Sequence, residues 1–216
     1  YDLLGDSGKV QRVRPLVTNS KVLAFSKDSP FRETLNTRSW FRLLERPDVT
    51  LAHTDPNRDP GGYRTLFVLQ LAERYYKEPG LYRRICSNPS RFILPPGTTH
   101  QLVDRLHQEG RIDFMIRYKS SVVSGDMYRY LDLPEAINLG NPAMNTYYKQ
   151  ASIDIEDPAG TLASIVGTSI LYGAASLKES AYPEASEAFL EYSCSPRGLE
   201  ILQSCGFSSI NSLNPT

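Results

Sequence analysis

The sequence has few cysteines, no long apolar run and no excess of charge of either sign, which argues against several common protein classes. Three cysteines in 216 residues are too few for a disulfide scaffold. No segment approaches the roughly 18 consecutive apolar residues that span a bilayer as a helix. Acidic and basic residues number 24 each, so no overall field attracts nucleic acid or an anionic membrane. What remains is a globular chain long enough to form one large domain or two small lobes.

The cysteines leave the redox compartment open. Cys194 and Cys205 lie near the ends of two predicted C-terminal helices and could pair. Three reduced, partly buried thiols fit the sequence equally well, and the odd number leaves at least one thiol free in either case.

Recognisable catalytic and cofactor motifs are missing as well. The sequence has no Gly-x-Ser-x-Gly elbow, phosphate loop or dinucleotide fingerprint. His53 and His107 are not spaced with carboxylates as metal ligands would be. Basic residues are scattered rather than interleaved with aromatic ones, which argues against nucleic-acid binding. We therefore predict that the protein is not an enzyme and has no cofactor and no resident metal.

The most informative segment is the turn at residues 57–64, which leads into an apolar-periodic helix. Asp59 stands at the helix cap and Pro60 in the first turn, where a missing N–H costs nothing. Gly61 and Gly62 let the backbone approach a bound group, and the free N–H groups of a first turn favour an anion. An ordinary capped helix without a ligand is the alternative interpretation.

Strands and helices alternate along the chain, which predicts an α/β fold with a mostly parallel sheet. The apolar patterns predict strands over 22–25, 49–53, 112–118, 147–155 and 169–175. Caps, breakers and helical spacing predict helices over 39–44, 61–77, 81–86, 100–109, 183–192 and 196–203.

Residues 48–64 resemble the binding loop of the tungstate/molybdate-binding proteins of ABC transporters. In that family a short strand is followed by Asn/Asp-Pro-Asn, then by Asp-Pro-Cys/Gly-Gly-Tyr-Arg, and then by a helix reading Leu-Gln-Leu-Ala-Glu-x-Tyr-Tyr. Here residues 55–64 read DPNRDPGGYR and residues 69–76 read LQLAERYY. The tail, with YPEASEAFLEY at 182–192, SPRGLEIL at 195–202 and CGF at 205–207, is similar to the ending of periplasmic binding proteins of the type II fold.

The resemblance implies two α/β lobes joined by crossing strands. Residues 1–21 would be a remnant of the first lobe, residues 22–168 the second lobe, and residues 169–216 the return strand with helices that pack on the first lobe. Val22 to Phe25 is similar to the first crossing strand, and Ser169 to Ala175 to the return strand. Tyr1 aligns inside the first lobe, without a methionine or signal peptide, so we expect a processed or incomplete start. The serine-bearing opening strands of that lobe would lie outside this chain.

The resemblance also implies a binding site in the cleft between the lobes. Asp59 aligns with the family's loop carboxylate, which lies against the bound tungstate or molybdate. In this chain, Asp59 would therefore be the residue that contacts the metal of the oxyanion. Gly61 and Gly62 are the N–H donors predicted above, and Tyr118 falls on the family's phenol donor. His100 falls where the family has a glutamate, so simple tetrahedral hydrogen bonding would replace an expanded oxygen environment. An exposed first-turn histidine with no ligand role is the alternative for His100.

We therefore expect an extracytoplasmic receptor that binds tungstate or molybdate and delivers it to an ABC permease. It would be a periplasmic or extracellular monomer, with a membrane anchor in the full-length form as one option. One alternative is a receptor of the same fold for sulfate, phosphate or an organic acid. The other is an enzyme or effector domain on the same fold, which would need a nucleophile–base pair in the cleft or a DNA-binding helix pair.

Overall fold

The computed structural model describes residues 8–10, 13–156 and 160–210, so the expectation for Tyr1 lies outside the described residues. Its strands are β1 Arg14–Asn19, β2 Lys21–Ser26, β3 Leu51–Thr54, β4 Arg91–Leu94, β5 Phe114–Tyr118, β6 Tyr128–Asp132, β7 Ser152–Glu156, β8 Leu162–Val166, β9 Ile170–Ala174 and β10 Ser208–Ser209. Its helices are α1 Trp40–Leu44, α2 Pro60–Tyr76, α3 Leu81–Cys86, α4 His100–Gln108, α5 Glu135–Asn138, α6 Asn145–Tyr148, α7 Pro183–Cys194 and α8 Pro196–Ser204. Two 3₁₀ turns lie at Lys119–Ser121 and Pro142–Met144.

The largest layer is a mixed five-stranded sheet in the order β4-β3-β5-β2-β6. β3 runs parallel to β4 and β5, whereas β2 runs antiparallel to β5 and β6. The α/β class is confirmed, but the sheets are mixed rather than mostly parallel. Parallel neighbours need a crossover connection, and helices α2, α3 and α4 supply it between β3, β4 and β5, the three strands that run parallel.

The long helix α2 packs on one face of this sheet. The helix is buried on most of its circumference in its middle part, through Gly62, Thr65, Leu66, Phe67, Val68, Leu69, Leu71 and Ala72. Five of them, Phe67, Val68, Leu69, Leu71 and Ala72, share a core with Phe114 of β5 and with Trp40 of α1. Trp40 is fully buried and donates its indole N–H to the Tyr76 hydroxyl at 3.0 Å. Because truncating such an aromatic typically costs about 3–5 kcal/mol, α1 contributes strongly to holding α2 against the sheet.

The carboxyl ends of β3, β4 and β5 meet at one edge of the sheet, where α2 and α4 begin. The side chains of Asp59 and Thr99 cap these two helices by accepting the N–H groups of Gly61 and Leu102. Ligands of open α/β sheets bind beyond the carboxyl ends of the strands. Two helix N-termini, each carrying a partial positive charge, also lie at this edge.

A smaller antiparallel sheet holds β1 between β9 and β10. The chain passes from β1 to β2 at Ser20, and β9 lies within the predicted return segment. Val22 to Phe25, expected to be the first crossing strand, lies in β2, which pairs with β5 on one side and β6 on the other. Its role as a crossing strand stays a prediction. The lobe boundaries 1–21, 22–168 and 169–216 stay predictions.

The strand predicted over 147–155 is wrong in its first half. Residues Asn145–Tyr148 form α6, and β7 begins only at Ser152. Tyr148 is fully buried and donates its hydroxyl to the Glu135 carbonyl at 2.7 Å, which holds this turn against α5. None of the helices within the described residues is long and apolar enough to cross a membrane.

The three cysteines, Cys86, Cys194 and Cys205, are free thiols. Cys194 and Cys205 are therefore reduced thiols in this structure and do not form the disulfide that was the other alternative. Burial raises the pKa of the Cys86 thiol, which keeps it protonated and unreactive.

Candidate functional site

A cavity of about 410 Å³ opens at the sheet edge where β3, β4 and β5 end. Four of the five residues predicted for the site line it, namely Asp59, Gly61, His100 and Tyr118. The fifth, Gly62, is buried, and the Thr54 backbone leaves no room for a side chain there. The rest of the lining is Lys21, His53, Thr54, Thr65, Leu94, Thr98, Val103, Met115, Ile116, Arg117 and Ser121.

Asp59 acts first as the N-cap of α2. Its Oδ1 accepts the N–H of Gly61 at 2.8 Å, and its carbonyl oxygen accepts the N–H of Gly62 at 2.9 Å. Contrary to the expectation that these N–H groups are free for an anion, the cap uses both of them in this conformation. The half-buried Asp59 carboxylate still lines the cavity.

Tyr118 ends β5 and offers a neutral hydrogen-bond donor. Arg64 Nη1 donates to Tyr118 Oη at 2.6 Å. Because a guanidinium can only donate, the phenol keeps its own O–H for another partner. Burial raises the pKa of Tyr118, so the phenol stays protonated at neutral pH. An oxyanion in the cavity could accept this hydrogen bond.

Replacing Tyr118 with phenylalanine is expected to weaken anion binding by at least about tenfold. The variant removes one donor to a charged group, worth about 1.5 kcal/mol or more. Titration calorimetry measures the change, with Tyr130→Phe, outside the cavity lining, as the matched control. An affinity equal to that of the parent would remove Tyr118 from the site.

His100 begins α4 at the rim of the cavity and meets Arg117 of β5. Arg117 Nη2 lies 3.4 Å from His100 Nδ1. Since the guanidinium only donates, Nδ1 is the acceptor in this contact. Arg117 is 9% exposed, and its guanidinium carbon lies 4.7 Å from the centre of the Tyr128 ring. Its Nη1 has no hydrogen-bond partner among the described residues, so this nitrogen can donate to a ligand.

Lys21, the first residue of β2, is a buried lysine in the cavity wall. It is 1% exposed, and its Nζ lies 3.4 Å from the Gly61 carbonyl oxygen and 4.3 Å from the centre of the Tyr118 ring. Burial, followed by the positive charge of Arg64, lowers the pKa of Lys21 from 10.5 to about 7. The side chain is therefore close to the point of losing its charge at neutral pH.

His53 lines the cavity in its neutral form. Its Nδ1 lies 2.6 Å from the Thr54 carbonyl oxygen and donates to it, while Nε2 accepts from Arg91 Nε at 2.8 Å. Burial lowers the pKa of His53 to about 4. The ring therefore adds no charge to the cavity at neutral pH.

The cavity is rich in cations although the chain as a whole is neutral. Lys21 and Arg117 line it, and Arg64 contacts the hydroxyl of Tyr118. Across the residues that the structure describes, none of the three forms an ion pair with a carboxylate. Asp59 is the carboxylate of the described cavity lining. Burying a charge without a partner is costly, and an entering anion would supply the partner. The arrangement is therefore suited to an anion.

Sequence reasoning did not identify Lys21 and Arg117 as site residues. The available signal was a charged residue at or inside an otherwise apolar strand, since such a residue is buried when the strand is interior. Spacing alone could not place Lys21, because it faces Tyr118 only through the pairing of β2 with β5.

Comparison with known proteins identifies the family. The family model described as bacterial extracellular solute-binding protein matches residues 1–208. An uncharacterized solute-binding protein of Petrotoga mobilis is 33% identical over 196 residues, which cover 89% of this chain and 60% of the relative. The molybdate/tungstate-binding protein WtpA of Pyrococcus abyssi is 31% identical over 207 residues, which cover 86% of this chain and 58% of that protein.

The chain thus spans less than two thirds of the length of these two relatives. A solved structure, described as the substrate-binding domain of a molybdenum ABC transporter from Clostridium difficile, has a TM-score of 0.60 at 17% identity. The match covers 96% of this chain and 72% of that one, and at such low identity it supports the type II periplasmic-binding fold alone. Because the family model matches almost the whole chain, the chain belongs to the bacterial extracellular solute-binding protein family.

Proposed function

We propose that the protein is the solute receptor of an ABC transporter and binds tungstate or molybdate outside the cytoplasm. The observation that carries this proposal is the cationic cavity, where Asp59 and Tyr118 lie beside the buried Lys21 and Arg117. The 31% identity to WtpA supports the choice of anion. The receptor would be periplasmic or extracellular and would deliver the anion to the permease as a monomer.

Binding would replace the water around the oxyanion with protein donors. The lining residues that could donate are Tyr118 through its hydroxyl, Lys21 through Nζ, and Arg117, whose Nη1 has no hydrogen-bond partner among the described residues. The N-termini of α2 and α4 add a favourable field. Closure of the opposite lobe would dehydrate the anion and shift the population toward the closed state. The protein would make and break no covalent bond.

A receptor for sulfate, phosphate or an organic acid is the second candidate, and His100 favours it. The position matches a glutamate of the tungstate/molybdate-binding family, and an imidazole cannot supply a carboxylate oxygen to a metal centre. Arg117 beside His100 adds positive charge that any oxyanion could use. Selection among these anions would then depend on cavity size.

Titration calorimetry of the full-length protein with tungstate, molybdate, sulfate and phosphate tests the proposal. We expect tungstate and molybdate to bind on the order of a hundredfold more tightly than the other two, a difference of about 2.7 kcal/mol. Tighter binding of sulfate or phosphate would favour the second candidate. If none of the four anions binds, the tungstate or molybdate receptor and the sulfate or phosphate receptor are both contradicted. An organic acid would remain as the ligand, and titration with a panel of carboxylates tests it.

Replacing His100 with glutamate is expected to shift selectivity toward tungstate and molybdate over sulfate by about tenfold. A carboxylate repels a plain tetrahedral dianion nearby, whereas a metal centre can accept its oxygen. His100→Gln is the matched control, because it removes the imidazole without adding charge. If the two variants have the same selectivity in the calorimetric series, His100 has no ligand role.

A further inference from the structure

Lys21 occupies a position where a lysine is costly unless something compensates its charge. It starts an interior strand, its Cα pairs with Tyr118 of β5, and the two side chains share the face that α2 covers. Its Nζ reaches the cavity, where the nearest protein acceptor is the Gly61 carbonyl oxygen at 3.4 Å, a long hydrogen bond. The ammonium is therefore only partly satisfied by the protein.

The charged and titratable groups around Lys21 are mostly cationic or neutral. They are Asp59 and Arg64 from α2, Arg117 and Tyr118 from β5, His53 from β3, His100 from α4 across the cavity, and Asp132 at the end of β6. Asp132 pairs with Lys119 at 2.8 Å, and Asp59 accepts the Gly61 N–H. Within the described part of the chain, no carboxylate lies at ion-pair distance from Lys21.

This environment makes the charge of Lys21 depend on what occupies the cavity. Without an anion, burial and the two nearby guanidinium groups hold the pKa of Lys21 at about 7. A dianion within a few ångströms favours the ammonium and raises this pKa. Above neutral pH, the lysine would therefore be mostly an amine before binding and an ammonium afterwards.

We infer that Lys21 binds the oxyanion directly and takes up one proton from solution as the anion enters, so that anion and proton bind together. The amine nitrogen gains the proton, and no bond within the anion changes. This inference rests on the proposed function, because it requires an oxyanion in this cavity. It assigns Lys21 as a ligand-binding residue. The site would then prefer fully ionised anions, because two negative charges can compensate both the new ammonium and Arg117.

Proton uptake has a defined effect on affinity. When one proton binds with each anion, affinity falls by about tenfold for each pH unit above the pKa of the empty site. Below that pKa, Lys21 is already charged and affinity should level off. Tungstate is a suitable probe, because it is fully deprotonated above neutral pH and does not itself titrate there.

The experiment is titration calorimetry of the full-length protein with tungstate in two buffers of different ionisation enthalpy. At pH 8.5 we expect the heats to differ by the enthalpy of nearly one proton per anion, and at pH 7, near the pKa of Lys21, by that of about half a proton. Lys21→Met should lose the buffer difference and bind at least about tenfold more weakly. Lys21→Arg should bind without proton uptake, because a guanidinium stays charged in both states.

Lys119→Met is the matched control, since this lysine pairs with Asp132 and lies outside the cavity lining. It should keep both the affinity and the proton uptake of the parent. Tungstate binding with no buffer difference at pH 8.5, or uptake that persists in Lys21→Arg, would overturn the role of Lys21 while the proposed function stands. If the parent binds none of the four oxyanions, the proposed function fails and this inference fails with it. Should Lys21→Met not fold, the parent and Lys21→Arg still decide the question.

Discussion

Replacing Gly62 with alanine is expected to destabilise the protein by about 3 kcal/mol and to abolish anion binding. A Cβ at this position would lie 2.3 Å from the Thr54 carbonyl oxygen and 2.8 Å from the Pro56 nitrogen. Both are backbone atoms of the turn that leads from β3 to α2, so neither can move aside without displacing Asp59. The variant therefore damages the fold and the cavity wall together.

Gly61→Ala is the matched control for this prediction. Its Cβ would lie 3.3 Å from Asp59 Oδ1 and 3.4 Å from Thr54 Oγ1, which are side-chain atoms that can shift slightly. Urea unfolding of both variants gives the free energies of unfolding, and calorimetry gives the affinities. Equal stability of Gly61→Ala and Gly62→Ala would show that the turn is not held as tightly as the structure indicates.

The second large effect is a loss of stability in acid that comes from two buried histidines. Burial lowers the pKa of both His53 and His107 from 6.5 to about 4. The unfolded chain therefore binds more protons than the folded chain below about pH 6.5, and stability falls as the pH drops through this range. One pKa unit corresponds to about 1.4 kcal/mol, so each histidine lowers the free energy of unfolding by at most about 3 kcal/mol once the pH is below 4.

His107→Phe isolates one of these contributions. His107 packs edge-on against Tyr128, with the two ring centres 5.1 Å apart, and a phenylalanine ring can occupy the same position. We expect parent and variant to have similar free energies of unfolding at pH 8, where the histidine is neutral in both states. At pH 5 the variant should be more stable by about 1–2 kcal/mol. Denaturant unfolding across this pH range measures the difference, and parallel pH profiles would contradict the assignment of His107 as a neutral buried residue.

The helix starts at the cavity could be predicted because their signals are local. Asp59 followed by Pro60 predicts the cap of α2, and Thr98 or Thr99 is predicted to cap α4. The structure has Asp59 and Thr99 at these positions. The helices predicted over 61–77 and 100–109 match Pro60–Tyr76 and His100–Gln108 closely. Capping and helical spacing involve residues within one or two turns of each other, so no tertiary information is needed to recognise them.

Strand direction and strand partners could not be predicted in the same way. The apolar run at 22–25 indicates a buried strand, and it is one, but the run does not say which strands flank it or in which direction they run. The sequence predicts no strand over β1, β4, β6, β8 or β10. These strands have two to six residues, and their apolar residues do not alternate regularly enough to indicate a buried face.

By itself, the sequence determined the turn and cap at Asp59, the strand that ends at Tyr118 and the match to a solute-binding family, because each is carried by contiguous residues. Only the tertiary structure decided that the cavity is cationic. Lys21 reaches it through the pairing of β2 with β5, and Arg117 reaches it from β5 beside the start of α4. The charge state of Lys21 depends on burial and on charges from other strands and helices, and those distances exist only once the chain has folded.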